Sequence, residues 1–277
     1  MRATAWLHAA GLVALAAEPA AWPWVSTGLL ANHSFLGLVG MHPRSSLLGP
    51  NLVRLPPAAT LRKEVALTFD DGPDPEATSQ TLDLLAWHGA TASFFLIGER
   101  AARHPAICRA IMQRGHSVEN HTHRHPLSFA CWSPGAMRDE ILRAQSAIGE
   151  AAGTMPRFFR PPAGLRSPLL DPALSAVGLD CVSWTRRGHD TVCGDPRILL
   201  RRLTRSLAAG DILLLHDRGS ARGRDGRPVV LEVLPHLLRR IAALGLTAVS
   251  LPKALDGAAA APEAAPAGPA PAACASP

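Results

Sequence analysis

From residue 64 to residue 251, short apolar runs alternate with longer stretches of helical period. The runs at 65–69, 91–97, 117–120, 158–160, 180–184, 211–216 and 246–251 are rich in Val, Ile, Leu and Phe and read as buried strands. Between them, apolar residues recur at three- and four-residue spacing near 77–88, 99–114, 135–151, 168–177, 195–209 and 229–244, which predicts helices. Gly89, Gly115, Gly153, Gly178, Gly210 and Gly245 stand where those helices should stop. Strand and helix in regular alternation, with right-handed crossovers, predict a parallel α/β sheet that closes or nearly closes into a barrel.

The first 43 residues follow a different pattern. Residues 3–43 carry one charge, Glu18, which with Pro19 splits two apolar stretches at 4–17 and 22–41. Each approaches the ~20 residues needed to cross a bilayer. His8, Asn32 and His33 interrupt them, and Trp6, Trp22 and Trp24 suit a membrane interface. They fit a membrane-associated hairpin, a cleaved secretory signal followed by a retained apolar segment, or core helices; membrane association is the expectation. Only Arg2 precedes the stretches, whereas Arg44, Arg54, Arg62 and Lys63 follow, which favours a cytoplasmic face for the body. A cleaved signal would place it outside. The expected organisation is an apolar anchor or signal at 1–43, a linker at 44–62, a catalytic domain at 63–255 and a disordered Ala/Pro-rich tail at 256–277.

Charge changes this picture little. A net +6 and a pI near 9.7 come from dispersed Arg, and aromatics are only 5%, so the composition argues against a nucleic-acid groove. Five cysteines without Cys-x-x-Cys spacing argue against a disulfide framework or a thiolate zinc site.

The chemistry lies at the ends of the strands. The first run ends in Asp70-Asp71-Gly72-Pro73, the third in His121 and His125, and the fourth in Arg160-Pro161-Pro162. The fifth is followed by His189 and Asp190, and the sixth ends at His216-Asp217. Parallel α/β folds build their sites at the carboxyl ends of strands, so these groups are expected to meet at one mouth. Adjacent Asp70 and Asp71 repel unless a cation or proton relieves them, although Asp, Gly and Pro are also ordinary turn residues. His121 and His125, four apart, share a face if they lie on one helical turn. With Asp71 they would form a His-His-carboxylate site for zinc or another divalent ion. His123 would point elsewhere. Arg160 fits either a surface cation or the orienting partner of an acid, and His216 either a core histidine satisfied by Asp217 or a catalytic group.

These motifs resemble the NodB-type polysaccharide deacetylases, carbohydrate esterase family 4. Thr68-Phe69-Asp70-Asp71-Gly72-Pro73, His121-Thr122-His123-Arg124-His125, Arg160-Pro161-Pro162-Ala163-Gly164, Asp190 and Leu214-Leu215-His216 occur in the family's order. The resemblance implies a distorted (β/α)7-type barrel that removes acyl groups from sugars. It implies that Asp71, His121 and His125 hold a divalent metal, often zinc. Asp70 would be the general base, held by Arg160, and His216 the general acid, oriented by Asp190. Ala163 would offer its backbone N–H to the oxyanion, and Leu214 would line the acyl pocket. The implied partner is an N-acyl amino sugar in a polysaccharide or a lipid-linked glycan. An O-acetyl esterase and a non-catalytic carbohydrate-binding relic are the alternatives. The chain departs from the family at Ala163, where Tyr is usual, and at Thr191, where Trp usually follows the aspartate; it has no tyrosine at all.

Overall fold

The structure is a computed structural model and describes residues 2–259. Helices α1 (Arg2–Ala17) and α2 (Trp22–Gly40) form an N-terminal hairpin, and α3 (Pro57–Leu61) leads into β1 (Glu64–Asp70). There follow α4 (Ala77–Trp87), β2 (Ser93–Leu96), α5 (Gly98–Arg103), α6 (Pro105–Gln113), β3 (Ser117–Asn120) and α7 (Pro134–Ala152). Next come β4 (Phe158–Phe159), α8 (Leu170–Ser175), β5 (Asp180–Cys181), β6 (Arg186–Arg187) and α9 (Pro196–Thr204). The body ends with β7 (Ile212–His216), α10 (Val229–Ala243), β8 (Thr247–Val249) and α11 (Leu251–Ala259).

The strands form a curled, parallel half-barrel in the order β5-β4-β3-β2-β1-β7-β6, with β8 against the first half of β1. β1 is the organising strand, buried along its whole length and paired with β2, β7 and β8. Its alternation divides the core. Val65, Leu67 and Phe69 face the helices with Phe94, Val118, Leu213 and Leu215. Ala66 faces the inside of the curl with Phe95, Phe158, Val182 and Ile212. By the same period of two, Thr68 and Asp70 on β1, and Leu214 and His216 on β7, point inward towards the mouth.

Several sequence expectations change. The stretch 180–184 is not one straight strand: β5 pairs with β4, and the chain then crosses to the opposite edge, where β6 pairs with β7. The predicted helix 99–114 is two helices, because Pro105 lacks the N–H a continuous helix needs and starts its own first turn. The expected linker 44–62 is part of the body. Leu52 bridges Val182 and Arg54 bridges Asp211, so this segment spans the gap between the two sheet edges, and Leu48, Leu55 and Ala59 are buried. The last strand is shorter than expected because Leu251 begins α11, which carries the fold past residue 255 and is tied down by Arg62 to the Ala254 carbonyl (2.7 Å) and by Arg157 to Asp256 (2.6 Å). The rest of the expected tail lies outside the described residues.

No helix among the described residues is long and apolar enough to cross a membrane. α1 and α2 pack on each other and leave Trp6, Leu12, Trp22, Trp24 and Leu30 exposed. The hairpin meets the body at Gly40, whose carbonyl accepts the Arg166 N–H (3.0 Å).

Candidate active site

The strand register places Asp70 opposite His216, and Thr68 opposite Leu214, on neighbouring strands. Just beyond β1 the backbone of Asp71 turns left-handed (φ 73°), so the two successive carboxylates do not diverge as they would along a strand. Gly72 is required next, because a Cβ there would run into the carboxylate of Asp217.

Asp71 and two imidazoles converge. Asp71 Oδ1 lies 3.3 Å from Nε2 of His121 and 3.3 Å from Nε2 of His125, and one ligand atom from each of the three fits within 4.8 Å of the others. The histidines do not reach this arrangement on a helical turn. They sit in a loop after β3 in which Thr122 (φ 65°) and His125 (φ 57°) are left-handed, a conformation uncommon for non-glycine residues and strained for a β-branched one. That loop is pinned at several points. Thr122 N–H donates to Asn120 Oδ1 (3.0 Å), His125 N–H to Thr122 Oγ1 (2.9 Å), and Gly98 N–H to the Thr122 carbonyl (3.0 Å). His123 packs against Gly98, outside the cluster. His121 Nδ1 is 2.7 Å from the Arg160 carbonyl, an acceptor only, so Nδ1 carries the proton and Nε2 offers its lone pair.

The three residues fit a divalent cation. Asp71 Oδ1 is buried without a hydrogen-bond donor, the kind of orphaned acceptor a cation satisfies. Burial would raise the Asp71 carboxyl, but the neighbouring imidazoles, His121 first and then His216 and His125, hold it well below the usual carboxylate range. Two imidazoles and a carboxylate suit zinc and other first-row divalent ions.

Asp70 is buried beside this cluster, its Oδ2 3.9 Å from His121 Nε2. Arg160 is not a surface cation: it is fully buried, and its Nη1 donates to Asp70 Oδ1 (2.5 Å) and Thr68 Oγ1 (3.0 Å). Its Nη2 donates to the Ser183 carbonyl (3.0 Å), its Nε to the Val182 carbonyl (3.3 Å), and its guanidinium stacks 4.0 Å from the Phe95 ring centre.

His216 is oriented by Asp190 rather than by Asp217. Asp190 Oδ1 lies 2.9 Å from His216 Nδ1, and its Oδ2 accepts the His216 backbone N–H at 2.7 Å. Burial opposes protonation of His216, yet the hydrogen bond and charge of Asp190, with Asp70 and Asp71, raise its pKa above the ordinary value. Asp217 turns the other way and accepts from Thr78 Oγ1 (2.5 Å) under the Gly72 turn; burial pushes its carboxyl up to about 7.

Asp70, Asp71, His121, His125 and His216 line a pocket of about 140 Å³ that also includes Ala163, Gly164, Trp184, Arg187, Thr191 and Leu214. Ala163 is left-handed (φ 55°) inside a one-turn 3-10 segment, and Gly164 leaves room for the Trp184 ring against that turn. Trp184, six residues before Asp190, supplies an aromatic wall beside Ala163. Trp184, Arg187 and Thr191 were not among the expected site residues. In the sequence Trp184 closes the fifth apolar run and Thr191 stands where the family usually has Trp, while Arg187 carries only its place after that run as a signal.

Comparison with known proteins agrees with the fold. The sequence profile of the polysaccharide deacetylases matches residues 58–182. The chain is 32% identical over 180 residues to a peptidoglycan-N-acetylglucosamine deacetylase of Bacillus cereus, covering 64% of this chain and 83% of that protein. It is 35% identical over 156 residues to a chitooligosaccharide deacetylase of Bradyrhizobium sp., covering 56% and 71%. The crystal structure of a family 4 carbohydrate esterase from Streptomyces lividans, in complex with acetate, superposes with a TM-score of 0.61 at 31% identity, covering 67% of this chain and 91% of that one. With the half-barrel and the mouth arranged as they are, the chain belongs to the polysaccharide deacetylase family, the NodB-type carbohydrate esterases of family 4.

Proposed function

We propose that this chain is a metal-dependent hydrolase that removes an N-acyl group, acetyl or formyl, from an amino sugar in a polysaccharide or lipid-linked glycan. The observation that carries this reading is the meeting of Asp71, His121 and His125 around one point, with Asp70 and His216 in register beside it. The relatives' activities on peptidoglycan and on chitooligosaccharides give the substrate class.

Asp71, His121 and His125 are the residues to hold the metal ion. When bound, a divalent cation there supplies Lewis acidity, polarising the acyl oxygen and lowering the pKa of a coordinated water towards ~7. Asp70, fixed by Arg160, takes the proton from the attacking water. The backbone N–H of Ala163 donates to the developing oxyanion, and Leu214 packs on the acyl methyl. His216, protonated and aligned by Asp190, gives its proton to the departing nitrogen, since an amide anion leaves very poorly without one. Trp184 takes the place of the missing aromatic after the two prolines as a wall for the sugar.

We read the fold as a shortened (β/α)7-type barrel, with the hairpin of α1 and α2 lying on a membrane surface through its exposed tryptophans rather than spanning it. Acetate release from chitotetraose by wild type, with Asp70→Asn as the control, tests the activity. Release by wild type that Asp70→Asn abolishes supports it. Sugar binding without release by wild type would leave a non-catalytic relic.

A further inference from the structure

Behind the Trp184 wall lies a second and larger groove of about 410 Å³, which shares Trp184 and Arg187 with the catalytic pocket. Its other charged and titratable lining is His42, Arg44, Arg186, His189 and Arg202, and no carboxylate lines it among the described residues. Arg186 is already paired with the buried Asp211, which it shares with Arg54. Arg44, Arg187 and Arg202 have no carboxylate partner among the described residues. Arg44 donates only to the Thr185 carbonyl (3.3 Å) and Arg202 only to the Gly188 carbonyl (3.2 Å), which leaves most of each guanidinium fork free. Arg187 stacks 5.4 Å from the Trp184 ring centre, and its Nε is buried with no acceptor.

Such a donor costs free energy unless an acceptor arrives, and unpaired guanidinium groups held in one concavity repel each other. The field they create is visible at His189, whose pKa is lowered first by burial and then by Arg187 and Arg202. Elsewhere an exposed arginine such as Arg114 is paired with an acid, Asp83. Here three cations without a carboxylate partner, Arg187 half-buried and Arg44 and Arg202 exposed, gather beside the reaction site, walled on the other side by Met41–Pro43 at the foot of the hairpin. Planar guanidinium forks bind phosphate and carboxylate groups best.

We propose that this groove receives an oxyanion carried by the glycan itself, a phosphate or carboxylate on the sugar adjoining the acylated one, so that the enzyme selects acidic over neutral amino-sugar glycans. The inference rests on the deacylase reading of the neighbouring pocket.

The test compares kcat/KM for acetate release from neutral chitotetraose with two matched glycans, one bearing a lactyl-ether carboxylate and one a phosphodiester on the adjoining sugar. Wild type is expected to favour at least one acidic glycan by about tenfold at low salt, with the ratio shrinking as salt is raised. The glycan that wins identifies the source of the anion. In the Arg44→Gln/Arg202→Gln variant the ratio is expected to fall towards one. Arg138→Gln, which removes an exposed charge outside the groove, is expected to leave it unchanged. A ratio of one in wild type, or an unchanged ratio in the double variant, would overturn the proposal. Should no glycan be deacylated, the pocket reading fails by itself, and calorimetric binding of the same three glycans still decides the groove. Tighter binding of an acidic glycan, lost in the double variant, supports it; equal binding of all three overturns it.

Discussion

On one side of the mouth, the Arg160 guanidinium is distributed over four acceptors, Asp70, Thr68 and the carbonyls of Val182 and Ser183, in a site closed to solvent. On the other side, His216 rests on one carboxylate, that of Asp190, which also accepts the histidine's own backbone N–H. The base side draws on β1, β4 and the segment after β5, and the acid side on β7 and one loop. The strain is divided unevenly too. Of the non-glycine residues with positive φ, Asp71, Thr122, His125 and Ala163 belong to the metal and oxyanion side, and His189 alone precedes the acid's partner. Where chemistry is built into the core network, function and stability are expected to fail together. Where it hangs on one pair, they are expected to separate.

The largest combined effect is expected from Arg160→Ala. It leaves Asp70 as a buried, unpaired charge, and the loss of stability should be about 3–5 kcal/mol, read by urea denaturation, with activity lost as well. Asp70→Asn is expected to cut acetate release by about 10²–10⁴-fold while leaving metal content unchanged, which separates the base from the ligand set. His216→Ala is expected to lower amide cleavage by a similar factor of about 10²–10⁴ but to spare much of the rate on an aryl acetate, whose leaving group needs no proton. Equal losses on amide and ester would remove the acid role, and an appreciable rate retained on the natural substrate would favour the esterase alternative. The smallest effect is expected from Asp190→Asn. The Asp190 charge holds the His216 pKa up, so its removal lowers that pKa and the acid form is lost at lower pH. The alkaline limb of the kcat/KM profile should therefore move to lower pH; an unmoved or rising limb would contradict the pairing.

The strands and the mouth were legible in the sequence because short continuous apolar runs and strand-end polar residues follow from how parallel sheets are buried. Asp70, Asp71, His121, His125 and His216 line that mouth, with Arg160 buried behind Asp70 and Asp190 behind His216. The conformation that brings the histidines together was not legible. Four-residue spacing suggested a helix, whereas the loop uses left-handed Thr122 and His125, which local preference disfavours and tertiary hydrogen bonds enforce. The segment 44–62 looked like a linker because its polar and proline-rich pattern hides three buried residues, Leu48, Leu55 and Ala59, that matter only once the sheet curls. Trp184 and Arg187 were missed for the same reason: their position depends on the chain crossing between sheet edges, which no local pattern records.

The most direct test of the central claim is acetate release from chitotetraose by metal-stripped protein as Zn2+ is titrated back. No release is expected from the stripped chain, with recovery complete near one equivalent in wild type and none in Asp71→Ala at the same stoichiometry. Full activity of the stripped protein, or recovery of Asp71→Ala alongside wild type, would contradict it.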